Sequence, residues 1–159
     1  MIDASALTIR EATDADLPGV LTLYAQPELD NGIVLPLDEA REMYAQFARY
    51  PDYKLYVAES DGRIIGSFAL LIMHNLGHLG APSAIVEDVV VDPASQGIGV
   101  GRQMMECAVL QAKVAGCYKL MLSSNARRER AHAFYEQLGF ERHGYSFRIN
   151  LDVGERSRG

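Results

Sequence analysis

The chain has 159 residues, 48% of them hydrophobic, and 15 basic against 21 acidic side chains give a formal charge of −6. That length fits one domain able to bury a real core, and the acidic balance without a long basic run excludes a general nucleic-acid binder. No apolar run approaches the ~18 residues of a membrane span, and the first residues lack a basic segment followed by an apolar one, so a cytoplasmic protein with neither membrane nor nucleic-acid partner is expected. Cys107 and Cys117 have no Cys/His cluster around them, which argues against a zinc site, any other metal centre or a disulfide framework and predicts two small buried apolar residues.

Leu7 to Arg10 alternates apolar and polar residues and predicts a first strand, and Thr13-Asp14-Ala15-Asp16 behind it is a helix-start signal. The helix that follows carries Leu17, Val20, Leu21 and Tyr24 at three- and four-residue spacings. QPELDNGIVLP, residues 26 to 36, has two prolines, a glycine and little periodicity and reads as a loop. A second helix over about Leu37 to Tyr50 sets Met43, Tyr44, Phe47 and Tyr50 on one broad face. Two strand-like runs, 54 to 60 and 63 to 73, meet at Asp61-Gly62, a strong hairpin signal, and should pair antiparallel. Phe68 to Met73 is apolar throughout, so the second of these strands is expected inside the sheet with both faces covered.

NLGHLGAPS, residues 75 to 83, reads as a loop, and Ala84 to Val91 as a β-branched strand ended by Asp92-Pro93. A helix from about Gly99 to Ala115, a strand from Tyr118 to Ser124, a helix from about Arg128 to Leu138 and a last strand near Tyr145 to Leu151 follow. The predicted order is β, α, α, β, β, β, α, β, α, β. A single domain over residues 1–153 and a loose tail over 154–159 are expected.

The run VVVDPASQGIGVGRQMM, residues 89 to 105, places Gly97, Gly99 and Gly101 at the start of a helix, where each costs up to about 1 kcal/mol relative to alanine. Glycine lets backbone N–H groups approach a ligand, and a helix N-terminus adds unpaired donors and the positive end of a dipole, so a phosphate would suit the place. A tight strand-to-helix turn would use glycines as well. A dinucleotide fingerprint would need glycine or alanine where Arg102 stands, and a Walker loop would need Lys then Ser/Thr near Arg102 and Gln103, so both fail.

QGIGVG, residues 96 to 101, resembles the Q/R-x-x-G-x-G/A signature of the GNAT acetyltransferase superfamily, and it follows a VEDVVVDP strand as that signature does. NARRERAHAFYEQLGF, residues 125 to 140, is similar to the family's second characteristic segment, an Asn before a helix bearing A-x-x-F-Y-x-x-x-G-F. The resemblance is carried by motifs from 84 to 151 and by element order before that. It implies an α/β (α+β) fold with a mixed, mostly antiparallel sheet, splayed between the fourth and fifth strands, and helices on both faces. Acetyl-CoA would enter the opening as co-substrate, with no metal. Backbone groups of Val89 and Val91 would pair with its pantetheine arm as an added strand would, and the amides of Gln96, Gly97, Ile98, Gly99, Val100, Gly101 and Arg102 would surround its pyrophosphate.

Acetyl transfer to an amine needs a neutral amine, donors for the oxyanion and a proton for the departing thiolate. Glu87 and Asp88 are adjacent on the fourth strand, so strict alternation sends them to opposite sides of the sheet. Burial of either would raise its pKa toward that of a base, and either could instead pair with an Arg. The resemblance favours Glu87, acting directly or through water. It gives the oxyanion to the amide of Val89 or Val90 and makes Tyr135 the acid at the sulfur. Asn125 matches a pantetheine contact and is equally an N-cap. Arg127, Arg128 and Arg130 could meet CoA phosphates or form a solvated face.

The acceptor site is expected between the 26–36 loop, with Glu28, Asp30 and Asn31, and His74, His78, Tyr145 and Phe147. The chain looks most like bacterial members that acetylate small amines, including amino-sugar phosphates and aminoalkylphosphonates, by direct attack in a ternary complex. A peptide or protein N-acetyltransferase and a non-catalytic CoA-binding module are the alternatives. Relatives are often dimers, which leaves a homodimer open.

Overall fold

The computed structural model describes residues 6–27, 29–124 and 126–151; the expected tail lies outside them. The chain divides into two compact units, residues 1–121 and 122–159.

The first unit is built on a sheet in the order β1-β2-β3-β4-β5. β1 (Thr8–Glu11), β2 (Tyr53–Ser60), β3 (Arg63–Met73) and β4 (Ser83–Val91) pair antiparallel in succession. The β2–β3 hairpin turns on Asp61-Gly62, whose φ angles of 51° and 75° are the left-handed pair a two-residue hairpin loop requires. β3 is central and buried along most of its length, as its unbroken apolar run predicts. β5 (Leu120–Leu122) joins β4 at its beginning, where the Tyr118 amide donates to the Pro82 carbonyl and the Ala84 amide to the Lys119 carbonyl, both at 3.0 Å. Only three residues long against nine in β4, β5 leaves the far end of β4 without a strand beside it.

α1 (Leu17–Tyr24) starts on Thr13-Asp14-Ala15-Asp16 as expected: the Thr13 amide donates to Asp16 Oδ2 at 2.7 Å, a reach-back that starts the turn leading into the helix. Ala12, Leu17, Val20, Leu55, Val57 and Ala69 form a buried cluster, with Tyr24, Tyr44, Phe47 and Tyr53 packed against it. Tyr44 and Phe47 come from α2 (Leu37–Phe47), shorter than the predicted helix to Tyr50. α3 (Val100–Val114) covers β3 and β4 elsewhere, burying Val100, Met104, Met105, Ala108 and Ala112.

In the second unit α4 (Glu129–Gln137) is the helix expected there. The last predicted strand is not formed: residues 145–151 are without ladder pairing, and Tyr145, Phe147, Ile149 and Leu151 are exposed. Their period of two states which face would be apolar, but a strand exists only through a hydrogen-bonded neighbour, which alternation does not specify. The strand expected over Tyr118 to Ser124 is likewise reduced to β5. Cys107 and Cys117 are free and half-buried rather than core residues, and burial pushes both thiols up.

Arg10 on β1 ties the sheet to the turn before α1. Its guanidinium donates to Asp16 Oδ2 at 2.7 Å and Oδ1 at 3.0 Å, and to Glu59 Oε2 at 2.9 Å. The hydrogen bonds from Arg10 hold the Asp16 carboxyl down at about 2, against a desolvation cost that alone would raise it. A depressed folded pKa stabilises the fold above the unfolded value and loses that stabilisation as pH falls through about 2. Asp16→Asn should therefore lower unfolding free energy by roughly 2 kcal/mol at pH 7. The difference from wild type should shrink between pH 4 and pH 2, as read by urea melts at each pH.

Candidate functional site

The unpaired end of β4 begins with a register fault. Glu87 lies opposite Ala69 and Val90 opposite Ser67. Ser67 and Ala69 are two residues apart and share a face, whereas Glu87 and Val90 are three apart, so β4 carries one residue too many opposite Phe68. Asp88 absorbs it in left-handed backbone, φ 53°, a conformation Asp tolerates better than most residues. The expected alternation of Glu87 and Asp88 across the sheet is thereby broken. Both side chains are exposed, and after burial their two negative charges are what raise the Tyr53 phenol.

Beyond the bulge, alternation fixes which main-chain groups are committed. The Asp92 amide donates to the Ile65 carbonyl at 2.8 Å, so Asp92 faces β3 and Val91, one step back, faces away. The Val91 carbonyl is met from that open side by two side-chain amides, Gln26 Nε2 at 3.1 Å and Gln96 Nε2 at 3.5 Å. Val90, opposite Ser67 and 7% exposed, turns its main chain back to β3. Its amide therefore serves the ladder, and Val89 is the next outward step, beside the bulge.

The chain then enters the glycine loop through a capped turn. Asp92 Oδ1 accepts from the Ala94 amide at 3.0 Å, and the Asp92 carbonyl accepts from the Ser95 amide at 2.8 Å. Gly97 and Gly99 hold φ at 84° and 92°, and a Cβ built on either would touch nothing within 4 Å. These glycines are therefore required by backbone conformation, and the space before them is open. The Gln103 amide is bonded to the Gly99 carbonyl at 3.1 Å, so the amides of Val100, Gly101 and Arg102 precede the first helical acceptor of a 15-residue helix. Those amides, with Gly97, Ile98 and Gly99 before them, suit a phosphate group. Together with the outward edge at Val89 and Val91, they fit an extended ligand ending in a pyrophosphate, as CoA does.

On the face covered by α1 and α2, the bulge meets Tyr24, Tyr53 and the loop after α1. Burial foremost, then the Asp88 charge, holds the Tyr24 phenol well above its ordinary value, and its hydroxyl is hydrogen-bonded to Ser67, whose Oγ donates to the Tyr56 carbonyl at 2.8 Å. Burial also raises the Glu87 carboxyl, helped by Asp88, and raises Asp88, helped by Asp30. Among the described residues no three His, Cys, Asp or Glu side chains gather as metal ligands, so these carboxylates act as a spaced row of charge.

Not every expected site residue falls here. His78 stacks on Tyr118 at 4.3 Å, and Tyr145 and Phe147 are exposed. Glu28 and Asn125 lie outside the described residues. Tyr135 belongs to the second unit, where its ring meets Phe134 and Phe140 edge-on at 5.2 and 5.7 Å. Burial raises its phenol against the opposing pull of Arg128. Gln26, Tyr24 and Tyr53 escaped sequence reasoning. The tyrosines have the spacing of packing residues, and a side chain that reaches the main chain 65 residues away leaves no local pattern.

Residues 20–140 match the family model described as the acetyltransferase (GNAT) family. A glucosamine 6-phosphate N-acetyltransferase of Trypanosoma brucei brucei is 37% identical over 62% of this chain and 65% of its own length, just under two thirds. An aminoglycoside N(6')-acetyltransferase type 1 of Stenotrophomonas maltophilia is 32% identical over 87% of this chain and 88% of its own. Among solved structures, a putative acetyltransferase from Agrobacterium tumefaciens superposes with a TM-score of 0.85 at 34% identity, covering 91% of this chain and 99% of that one. A bulged strand with an open edge, running into a glycine loop that starts a helix, is thus the site of a fold whose relatives transfer acetyl groups to amines, and the chain belongs to the GNAT acetyltransferase family.

Proposed function

We propose that the chain transfers an acetyl group from acetyl-CoA to the primary amine of a small molecule, by direct attack with donor and acceptor bound together. The observation that carries this reading is the continuity of the site: the free edge at Val89 and Val91 leads into the amides of Gln96 to Arg102, and the Glu87–Asp88 bulge stands at its other end. Acetyl-CoA, when bound, supplies an acetyl thioester, an electrophile that needs no metal. Val89 and Val91 hold its arm as a strand neighbour would, and the glycine loop holds its phosphates. The Val89 amide, beside the bulge and outside the ladder, is the donor aimed where negative charge grows on the attacked oxygen.

The amine must lose a proton to attack. Glu87, its carboxyl raised by burial and by Asp88, is the base, directly or through one water. Tyr135 is assigned the proton for the leaving sulfur on the second motif alone, and its raised pKa keeps that phenol protonated at neutral pH. The acidic row of Asp30, Asp88 and Glu87 favours an acceptor that presents a cationic end to β4. Amino-sugar phosphates and aminoalkylphosphonates meet this with the ammonium inward and the anionic group away from the row. Thiol release measured across amino-sugar phosphates, aminoalkylphosphonates, aminoglycosides and lysine peptides should show turnover with small amines and none with peptides.

Two substitutions divide the chemistry. Glu87→Gln should lower kcat/KM about 10²-fold at pH 7, the lower range for a lost general base. Because the base works only when ionised, wild-type activity should fall as pH drops through its raised pKa, and the variant should lack that limb. The same behaviour in Asp88→Asn with Glu87→Gln unaffected would move the role to Asp88. Tyr135→Phe should reduce kcat about 10²-fold at unchanged acetyl-CoA affinity; undiminished kcat would remove Tyr135 from the reaction.

A further inference from the structure

The Val91 carbonyl is an unusual place for a loop side chain to be tied. It lies on the open edge of β4, where an added strand would pair, and a carbonyl oxygen has two lone pairs. Both are approached by neutral amide donors: Gln26 Nε2 at 3.1 Å and, at the longer 3.5 Å, Gln96 Nε2. An amide N–H from a ligand arm laid along this edge brings the same chemistry to the same oxygen, and must displace one of them or share its place.

Gln26 sits at the root of the loop after α1, and that loop is folded on itself. Its own carbonyl accepts from the amides of Leu29 at 3.1 Å and Asn31 at 3.0 Å. The Asp30 amide donates to the Tyr24 carbonyl at 3.0 Å and the Gly32 amide to the Ala25 carbonyl at 2.7 Å. Loop residues held together in this way move as a group, so a contact made by Gln26 is felt at Asp30. Asp30 in turn is the charge that, after burial, raises Asp88 on the bulge. One side-chain amide therefore joins the donor edge of β4 to the loop that faces the acceptor.

We propose that Gln26 is a latch: in the free protein it holds the loop after α1 on the Val91 carbonyl, and the pantetheine arm of the donor displaces it, so that donor binding releases the loop for the acceptor. The inference rests on the proposed use of acetyl-CoA. Gln26 touches no reacting atom and is a positioning residue. Its consequence is an order of binding, donor before amine, set by competition for one oxygen.

The competition predicts a gain on removal. Gln26→Ala and Gln26→Leu, the second keeping bulk but no donor, should bind acetyl-CoA about 3- to 10-fold more tightly by titration calorimetry, the range of a net hydrogen bond. In wild type, acetyl-CoA without amine should speed hydrogen exchange at Leu29, Asp30 and Asn31. In both variants exchange there should already be fast and indifferent to acetyl-CoA. A residue that only braced the loop would weaken donor binding when removed. Unchanged or weaker affinity in both variants, with wild-type melting curves, overturns the latch and leaves the proposed function standing. Failure of the wild-type protein to bind acetyl-CoA overturns both.

Discussion

A main-chain N–H or C=O that leaves a ladder must find another partner, and β4 is where this chain leaves such groups uncommitted. Two local facts produce the situation. β5 is too short to accompany β4, and an extra residue at Asp88 shifts the register so that Glu87 and Val90 both serve β3. The bulge leaves the side-chain row interrupted by two carboxylates and the outward edge interrupted by free polar groups. An extended ligand with alternating amides supplies what the edge lacks. In its absence the glutamines of two different loops converge on Val91, which is the behaviour of an acceptor with an open valence.

The glycine loop depends on how closely α3 lies against the sheet. A Cβ on Gly66 would stand 2.9 Å from Met104 Sδ and 3.2 Å from Val100 Cγ1. Both neighbours are buried, with Met104 at 0% and Val100 at 2% exposure, so neither has free room to yield, and overpacking of this kind costs typically 1–3 kcal/mol. Gly66 also lies opposite Val91 in the register. The missing side chain therefore brings the first turn of α3 down beside the very residue whose carbonyl marks the open edge. Helix start and strand edge are placed relative to each other by one contact that tolerates no methyl group.

Most elements of the fold were legible because each carries its own local signal. Asp61-Gly62 announces a hairpin, the unbroken apolar run of β3 announces a central strand, and Thr13 to Asp16 announce a helix start. The glycine loop was legible for the same reason, since positive φ at Gly97 and Gly99 restricts the residue types that stand there. The bulge was not. Nothing in VEDVVV says that Asp88 adopts a left-handed conformation, because a bulge is a relation between two strands and the mismatch exists only once β3 is laid alongside. Treating β4 as regular sent Glu87 and Asp88 to opposite faces. The final strand failed in the converse way: Tyr145 to Leu151 alternates well, but alternation specifies a face and not a neighbour.

The bulge also bears on a conflict that any amine acceptor brings with it. Carboxylates attract an ammonium ion and so favour the protonated amine, the form that cannot attack. One isolated carboxylate would bind well and deprotonate poorly. Here the charges form a row in which Asp30 raises Asp88 and Asp88 raises Glu87, each after burial has already disfavoured the ion. The row as a whole keeps the attraction, while its member at the β3 ladder holds a proton more readily than a lone surface carboxylate would. Binding charge and accepting a proton are thereby divided among neighbours, and the division depends on Asp88 being turned toward the same tyrosines as Glu87. A regular strand would separate the two carboxylates by the thickness of the sheet and dissolve the coupling.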